Sequence, residues 1–505
     1  MRVGALLESL EPLERSCPLI DQNLPTAELL GNINHFVVLM LENRSFDHLL
    51  GSLRAQNPAV VGALDNEYSN PAAYAMPFDP GHEFEDVQIQ LYGEAPGSVR
   101  AAGPRINPAP MTGFAYSALS AAKDPSQAAL VMQCFQPRQL PVLMSLANEF
   151  AVFNYWHSSL PGPTWPNRFF VHAATSGGLT DSPEDASVLA GFTFPGQTIY
   201  QRLEAAGKSW HIYHDGLPQT AGIDHLRLEF LDIFTQKFRE MDCFESDLRL
   251  DTLPEYIFIE PRYDTGHQSV NGNSMHPLND VRKGELLIKR VYEAIRVSRY
   301  WADTMLVITC DEHGGFFDHV PPPSAVPPGG DQRYADPANH FDFDLLGVRV
   351  PAIVVSAYTG KKTVIGATPQ ESFDHTSILK TVEKRFGLPW MSERDKAAST
   401  LEAALNVSAP RMSADEAPMT LPAPIADSLV TKFLHLFRES TIDAAAPLAP
   451  GQRVQLALAH ACNMQILDPA AKLDAHQRFL AVRGLKDAAD YIEEAENRIR
   501  ARRRA

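Results

Sequence analysis

Two apolar runs, His35-Phe36-Val37-Val38-Leu39-Met40-Leu41 and Thr304-Met305-Leu306-Val307-Ile308-Thr309-Cys310, constrain the fold of this chain more than any other feature. A strand with one wet face alternates apolar and polar residues, whereas a strand covered on both faces reads as a near-continuous hydrophobic run. Both segments therefore predict parallel strands inside a sheet flanked by helices. Further buried-strand candidates are Phe150–Phe153, Trp210–Tyr213, Tyr256–Ile259 and Val350–Ser356, with helical patterns at Gly284–Asp303 and Ser377–Arg385 between them. Such alternation predicts an α/β fold with a mostly parallel central sheet and helices on both faces.

Each of the two defining strands runs straight into polar chemistry. The second is followed by Asp311-Glu312-His313-Gly314-Gly315-Phe316-Phe317-Asp318-His319, the first by Glu42-Asn43-Arg44-Ser45-Phe46-Asp47-His48. In open α/β sheets ligands gather outside the carboxyl ends of the strands. Glu42, Asp311 and Glu312, with the amide oxygen of Asn43, are hard oxygen ligands suited to a divalent cation. Taken singly, each segment has a plainer reading: an acidic turn in solvent, or side chains that cap the next helix.

A third segment, Leu160-Pro161-Gly162-Pro163-Thr164-Trp165-Pro166-Asn167-Arg168-Phe169-Phe170-Val171-His172, presents a hydroxyl from a rigid turn just ahead of a helical pattern. Thr164 is either a helix cap or a nucleophile. The free N–H groups and positive dipole end of a helix N-terminus suit an attacked phosphate, and a bound metal would lower the hydroxyl pKa. Arg168 offers a bidentate fork to a phosphate or to a structural carboxylate. For His172, His211 and His214 the expected role is structural, as neutral imidazoles satisfied in the core.

Together these segments resemble the phosphoesterase family of bacterial and plant non-specific phospholipases C and related acid phosphatases. The resemblance is carried by Glu42 through His48, by Thr164 with Pro166-Asn167-Arg168, and by Asp311 through Val320. Shorter matches lie between, at Asp79-Pro80-Gly81-His82, Glu260-Pro261-Arg262-Tyr263, His276-Pro277, Gly347-Val348-Arg349-Val350-Pro351 and Asp374-His375-Thr376-Ser377. It implies a fold like that of alkaline phosphatases and sulfatases. It also implies one divalent metal ion held by Glu42, Asn43, Asp311 and Glu312, with Thr164 as a further ligand and the nucleophile.

By the same resemblance His82 and His276 hold the phosphate and protonate the leaving alcohol. Asn167, Arg168, His313, Asp318, His319 and His375 bind substrate or orient the ligands. Threonine at the nucleophile position resembles the phospholipase C branch, where the acid phosphatase branch tends to have serine, so a phospholipid diester is the expected substrate and a small phosphomonoester the alternative. Trp165, where a polar residue is more usual, departs from the pattern. A sulfatase reading lacks its modified cysteine or serine context, and a non-catalytic phosphate- or lipid-binding module would be expected to have lost a ligand or the nucleophile.

Composition bounds the partners. A chain of 505 residues, 45% hydrophobic, can bury one extended α/β core or two smaller ones. A net charge of −17 argues against nucleic acid, whose phosphates need a basic face. No stretch reaches the roughly 18 apolar residues of a membrane span. The one basic cluster, Arg498–Arg504, reads as cations that complement the dipole of a terminal helix, with membrane tethering as the alternative.

Residues 1–30 form an N-terminal extension without the apolar core of a secretory signal. The five cysteines are widely spaced, with no CxxC pair, and the simplest expectation is a reduced cytoplasmic protein, export by another route remaining open. The expected organisation is a catalytic body over 31–397, an Ala/Pro-rich linker over 398–450 and a helical appendage over 451–505, with amphipathic patterns at Val454–Leu467 and Ala475–Ile499. The regions Asn57–Pro110 and Asp181–Pro195 are expected to be loops. Nothing in the sequence bears on oligomeric state.

Overall fold

The computed structural model of the protein describes residues 26–63, 72–93, 108–232, 234–263, 272–426 and 447–504. Most of the N-terminal extension, and the part of the Ala/Pro-rich stretch from 427 to 446, lie outside the described residues.

Among these residues eight strands form one sheet: β1 (His35–Leu41), β2 (Ala151–Phe153), β3 (Trp210–His214), β4 (Phe238–Glu240), β5 (Tyr256–Glu260), β6 (Thr304–Cys310), β7 (Ala352–Ser356) and β8 (Thr363–Ile365), in the order β4-β3-β5-β1-β6-β7-β2-β8. β1 lies inside the sheet and pairs in parallel with β5 and β6; only the contacts of β7 with β6 and β2 are antiparallel. Every residue of β6 and all but the first of β1 are buried, as their uninterrupted apolar composition requires. The β1–β6 register runs from His35 opposite Thr304 to Leu41 opposite Cys310. Both strands therefore end at the same level, and residues 42–43 and 311–312 emerge side by side.

Helices cover the sheet. In Val281–Val297 the residues Leu287, Ile288, Val291, Tyr292 and Ile295 recur on one face and are buried, while Asp280 caps the first turn by accepting from Arg282 N. Each such buried aliphatic side chain contributes roughly 1.5–3 kcal/mol. The helix Thr376–Phe386 ends at Gly387, whose φ of +67° closes the last turn.

Several short elements differ from expectation. The region Asn57–Pro110 contains a helix, Phe84–Tyr92, whose start is fixed by Asp86 accepting from Glu83 N, and Asp181–Pro195 contains a helix at Asp185–Ala190. β4 and β8, three residues each at the sheet edges, are too short for periodicity to single out.

The C-terminal region forms three helices, Pro450–Ile466, Pro469–Ala481 and Leu485–Arg504. Asp468 accepts from Ala470 N and Ala471 N and Pro469 takes the first helical position, which sets the break between the two expected patterns; the second pattern, Ala475–Ile499, is itself divided at residues 482–484. Val454, Leu458, Cys462 and Ile499 enter the same apolar cluster as the sheet. The basic terminus is tied down as well: Arg503 donates to His214 Nε2 at 2.8 Å and lies over the Phe230 ring. No helix among the described residues is long and apolar enough to cross a membrane.

Candidate active site

The paired ends of β1 and β6 are knitted together by their own backbone and carboxylates. Asp311 N donates to Leu41 O at 3.1 Å, Arg44 N to Glu312 O at 2.9 Å, and Asn43 N to Asp311 Oδ1 at 3.0 Å. Asn43 Nδ2 donates to Glu312 Oε1 and Gly314 N to Glu312 Oε2. Asn43 sits at φ +56°, a left-handed position that asparagine tolerates better than most residues. Gly314 packs against it so closely, at φ +64°, that a Cβ would lie 2.2 Å from Asn43 O.

Thr164 opens the helix Thr164–Ala173. The cap position belongs to Pro163, and no side chain caps this helix. The Thr164 hydroxyl accepts from Asn43 Nδ2 at 3.5 Å, which places it beside the strand-end cluster. The turn before it is held by Asn167, whose Nδ2 donates to Gly162 O and Pro163 O at 2.9 and 3.0 Å while its Oδ1 accepts from Leu160 N. One turn into the helix, Arg168 Nε donates to Asp311 Oδ2 at 2.9 Å and its Nη2 to Leu41 O, with the guanidinium stacked over Tyr263. Arg168 thus orients a carboxylate, and its buried Nη1 has no protein partner.

Glu42, Asp311 and Glu312 are all at least nineteen-twentieths buried, and one guanidinium does not neutralise three carboxylates. Burial and the neighbouring Asp311 push the Glu42 carboxyl up to about 8, against the pull of Arg168. Burial pushes Asp311 up to about 6, with Arg168 opposing and Glu312 adding to the rise. Glu312 moves the other way: burial is outweighed by His82 and His313, which hold it below its ordinary value. Asn43 Oδ1, buried in the same cluster, accepts from nothing. Crowded carboxylates and an orphaned amide oxygen are a donor set that a divalent cation would complete.

A cavity of about 230 Å³ opens onto this cluster, lined by Glu42, Thr164, His82 and His276 among others. His82 Nδ1 donates to Pro80 O at 2.7 Å, leaving Nε2 free for a ligand. Burial alone would lower this imidazole, but Glu312, Asp79 and Glu83 outweigh it and push it up to about 10. His276 Nδ1 accepts from Leu278 N at 3.4 Å, so the ring proton is on Nε2, 3.6 Å from Asp79 Oδ2. Its pKa is lowered, by burial first and with His82 and Arg44 in the same sense.

Other expected residues lie one layer back. His313 Nε2 meets Gln90 Oε1 at 2.6 Å and its Nδ1 is 3.4 Å from Glu312. His375 Nε2 donates to Asp311 O at 2.6 Å. Asp318 and His319 are placed in a separate cluster with Asp47. The spacing of these three could hold a cation, but the fully buried Arg349 already occupies it, donating to Asp318 Oδ1 at 2.8 Å and to Asp47 Oδ1 at 3.2 Å. We read that group as an ion-paired brace for the loop after β1. His172 and His214 are buried and held neutral, and His211, half-buried, is lowered to about 4.

Some cavity residues have no signal in the sequence. Gln219 is held by its backbone N–H on Glu260, the carboxylate that ends β5, and its Nε2 donates to Glu42 Oε1 at 3.4 Å. Tyr263, which lies in the matched segment Glu260–Tyr263, donates to Glu260 as well. Residues Ala449–Gln452 and Gln455 reach the cavity from the C-terminal helices.

The sequence matches the phosphoesterase family over residues 33–389. The chain belongs to that family. Non-specific phospholipase C3 of Arabidopsis thaliana is 38% identical over 77% of this chain and 76% of its own length, and non-specific phospholipase C5 of the same plant is 34% identical over 87% of each. Phospholipase C A of Mycobacterium tuberculosis is 26% identical over 75% of this chain and 78% of its own. Within the family this chain therefore stands with the phospholipases C, as a hydrolase of phosphoric esters. Among solved structures, a phosphonate monoester hydrolase of Agrobacterium radiobacter aligns at TM-score 0.33 and 10% identity over 74% of this chain and 77% of that one. An alkaline phosphatase superfamily protein of Vibrio parahaemolyticus aligns at 0.29 and 16%, over 60% and 81%.

Proposed function

We propose that this protein is a metal-assisted phosphodiesterase of the phospholipase C kind, in which Thr164 attacks phosphorus and is transiently phosphorylated. The observation that carries this reading is the convergence of Glu42, Thr164, His82 and His276, from four distant segments, on one cavity. The names of its relatives, and threonine rather than serine at the attacking position, favour a phospholipid over a small monoester.

Glu42, Asn43, Asp311 and Glu312, with the Thr164 hydroxyl, would hold one divalent cation. When bound, it would supply positive charge that favours the alkoxide form of Thr164 and offsets charge on the phosphoryl oxygens. The chain does the rest. Asn167 fixes the turn that presents Thr164, and Arg168 holds Asp311 in place. His276, neutral, offers Nε2–H to a non-bridging oxygen. His82, charged and anchored on Pro80 O, passes its Nε2 proton to the lipid alkoxide as it leaves and becomes neutral. Water then gives a proton back to His82 and cleaves the phosphothreonine, which returns Thr164 and releases the phosphorylated head group.

The deciding assay follows hydrolysis of phosphatidylcholine beside p-nitrophenyl phosphate, with and without a chelator, for the wild type and for Thr164→Ala. Diacylglycerol release that drops at least 1,000-fold on either treatment is the expected result. Turnover of the monoester alone would move the chain to the phosphatases, and turnover of neither would remove the catalytic reading.

A further inference from the structure

One wall of the cavity is built by the helix Pro450–Ile466, whose first turn contributes Ala449, Pro450, Gly451 and Gln452 and whose second contributes Gln455. The first N–H groups of a helix have no carbonyl partner within it and carry the positive end of its dipole. A Cβ on Gly451 would meet nothing within 4 Å, so the backbone is open there. Gln452 is engaged, its Oε1 accepting from Ala449 N at 2.9 Å. Gln455 is not: it is 4% exposed, it lines the cavity, and its Nε2 donates to nothing.

A buried amide donor without an acceptor is destabilising, and a helix position facing an apolar core would be better filled by methionine or leucine. Gln455 is thus a buried donor that a cavity ligand would satisfy. The terminal amide torsion is broad, so Nε2 can swing toward a cavity ligand at little cost. The acidic side chains of the cavity, Asp79, Glu83 and Asp86, can only accept when ionised. The donors opposite a second substrate oxygen must come from elsewhere.

We infer that the first turn of this helix together with Gln455 forms a donor site for an oxygen acceptor of the substrate beyond its phosphate, an acyl carbonyl or a head-group hydroxyl, and that Gln455 is a specificity-determining residue. The inference rests on the phosphoesterase reading above and names the part of the ester that is read.

Two variants test it. Gln455→Met keeps the length and removes the donor; Gln455→Glu puts an acceptor in its place. For Gln455→Met the ratio of kcat/KM on diacyl phosphatidylcholine to that on p-nitrophenyl phosphate is expected to fall roughly tenfold, and for Gln455→Glu further. Because Gln455→Met also removes an orphaned donor, its thermal midpoint is expected to equal or exceed that of the wild type, which a purely structural glutamine would not allow.

Two comparisons separate the sources of the oxygen. Loss of the Gln455→Met effect on dialkyl phosphatidylcholine assigns the acyl carbonyl, whereas a larger effect on phosphatidylglycerol than on phosphatidylcholine assigns the head group. If the wild type cleaves no lipid, the phospholipase reading falls by itself, and glycerol 3-phosphate against p-nitrophenyl phosphate carries the same comparison. Ratios that stay within twofold in every pair, or a lowered thermal midpoint with no change in any ratio, overturn the inference.

Discussion

At the scale of single residues, the site depends on backbone that only certain side chains permit. Gly314 and Gly387 have nearly the same left-handed φ, +64° and +67°, but a Cβ at Gly314 would collide with Asn43 O at 2.2 Å and one at Gly387 would meet nothing within 4 Å. Backbone strain alone is of order 1 kcal/mol, so Gly387→Ala is expected to cost about that much and to leave turnover unchanged. Gly314→Ala adds a backbone collision with the residue that bridges Thr164 and Glu312. It is expected to cost about 3 kcal/mol and to lower kcat at least 100-fold, because Asn43 must move. Denaturant unfolding and steady-state kinetics on the pair separate the two effects; equal losses of activity in both would show that Asn43 is not held by this contact.

At the scale of elements, the parallel register of β1 and β6 brings the two acidic loops together, and a buried ion-pair cluster holds the first of them. Arg349 bridges Asp47 and Asp318 and also donates to Val61 O and Asn154 O. Arg349→Met would leave two buried carboxylates facing each other, and is expected to destabilise by about 3–5 kcal/mol. Adding Asp47→Asn and Asp318→Asn to Arg349→Met should recover a large part of that loss, since no charge is then stranded. A triple variant no more stable than Arg349→Met in denaturant titration would contradict the brace.

The same elements show what is legible in a sequence. β1 and β6 are readable because burial on both faces leaves no polar interruption, and Glu42, Asn43, Asp311 and Glu312 are readable because they follow those runs directly. β4 and β8 are too short to show a period. The helix Phe84–Tyr92 is obscured by the polar stretch around it, although Glu83 and Asp86 mark its start. Gln455 and Gln219 carry no local signal at all, because they reach the cavity only through tertiary packing.

At the scale of the whole molecule, buried titratable groups pull stability in opposite directions with pH. His157 and His214 are lowered to about 3, and His211, His375 and His460 to about 4, in each case by burial first. Below the unfolded value near 6.5 the unfolded chain binds protons that the native state refuses, so stability is lost as pH falls through that range. Burial pushes Asp181 up to about 6, Glu285 to about 8 and Glu383 to about 9. These carboxyls keep protons that the unfolded chain has released, so their contribution is intact below about 4 and is lost as pH rises toward the folded values. At pH 5 these five histidines, with His48 and His172 also held neutral by burial, outnumber the raised carboxyls, Glu42 and Asp311 included. By pH 7 these histidines are neutral in both states, and Glu42, Glu285 and Glu383 still act, in the same direction as the raised His82. Thermal unfolding followed from pH 4.5 to 9.5 should therefore show a maximum between about pH 6 and pH 7. Glu285 accepts from Val142 N and Leu143 N through Oε1 alone. Glu285→Gln keeps that oxygen and removes the titration, so the loss of stability above pH 7 should become shallower by up to about 1.4 kcal/mol per pH unit. A wild-type midpoint that keeps rising from pH 7 to pH 9, or an alkaline limb unchanged in Glu285→Gln, would mean that these carboxyls are ionised in the native protein and solvated by water that reaches them.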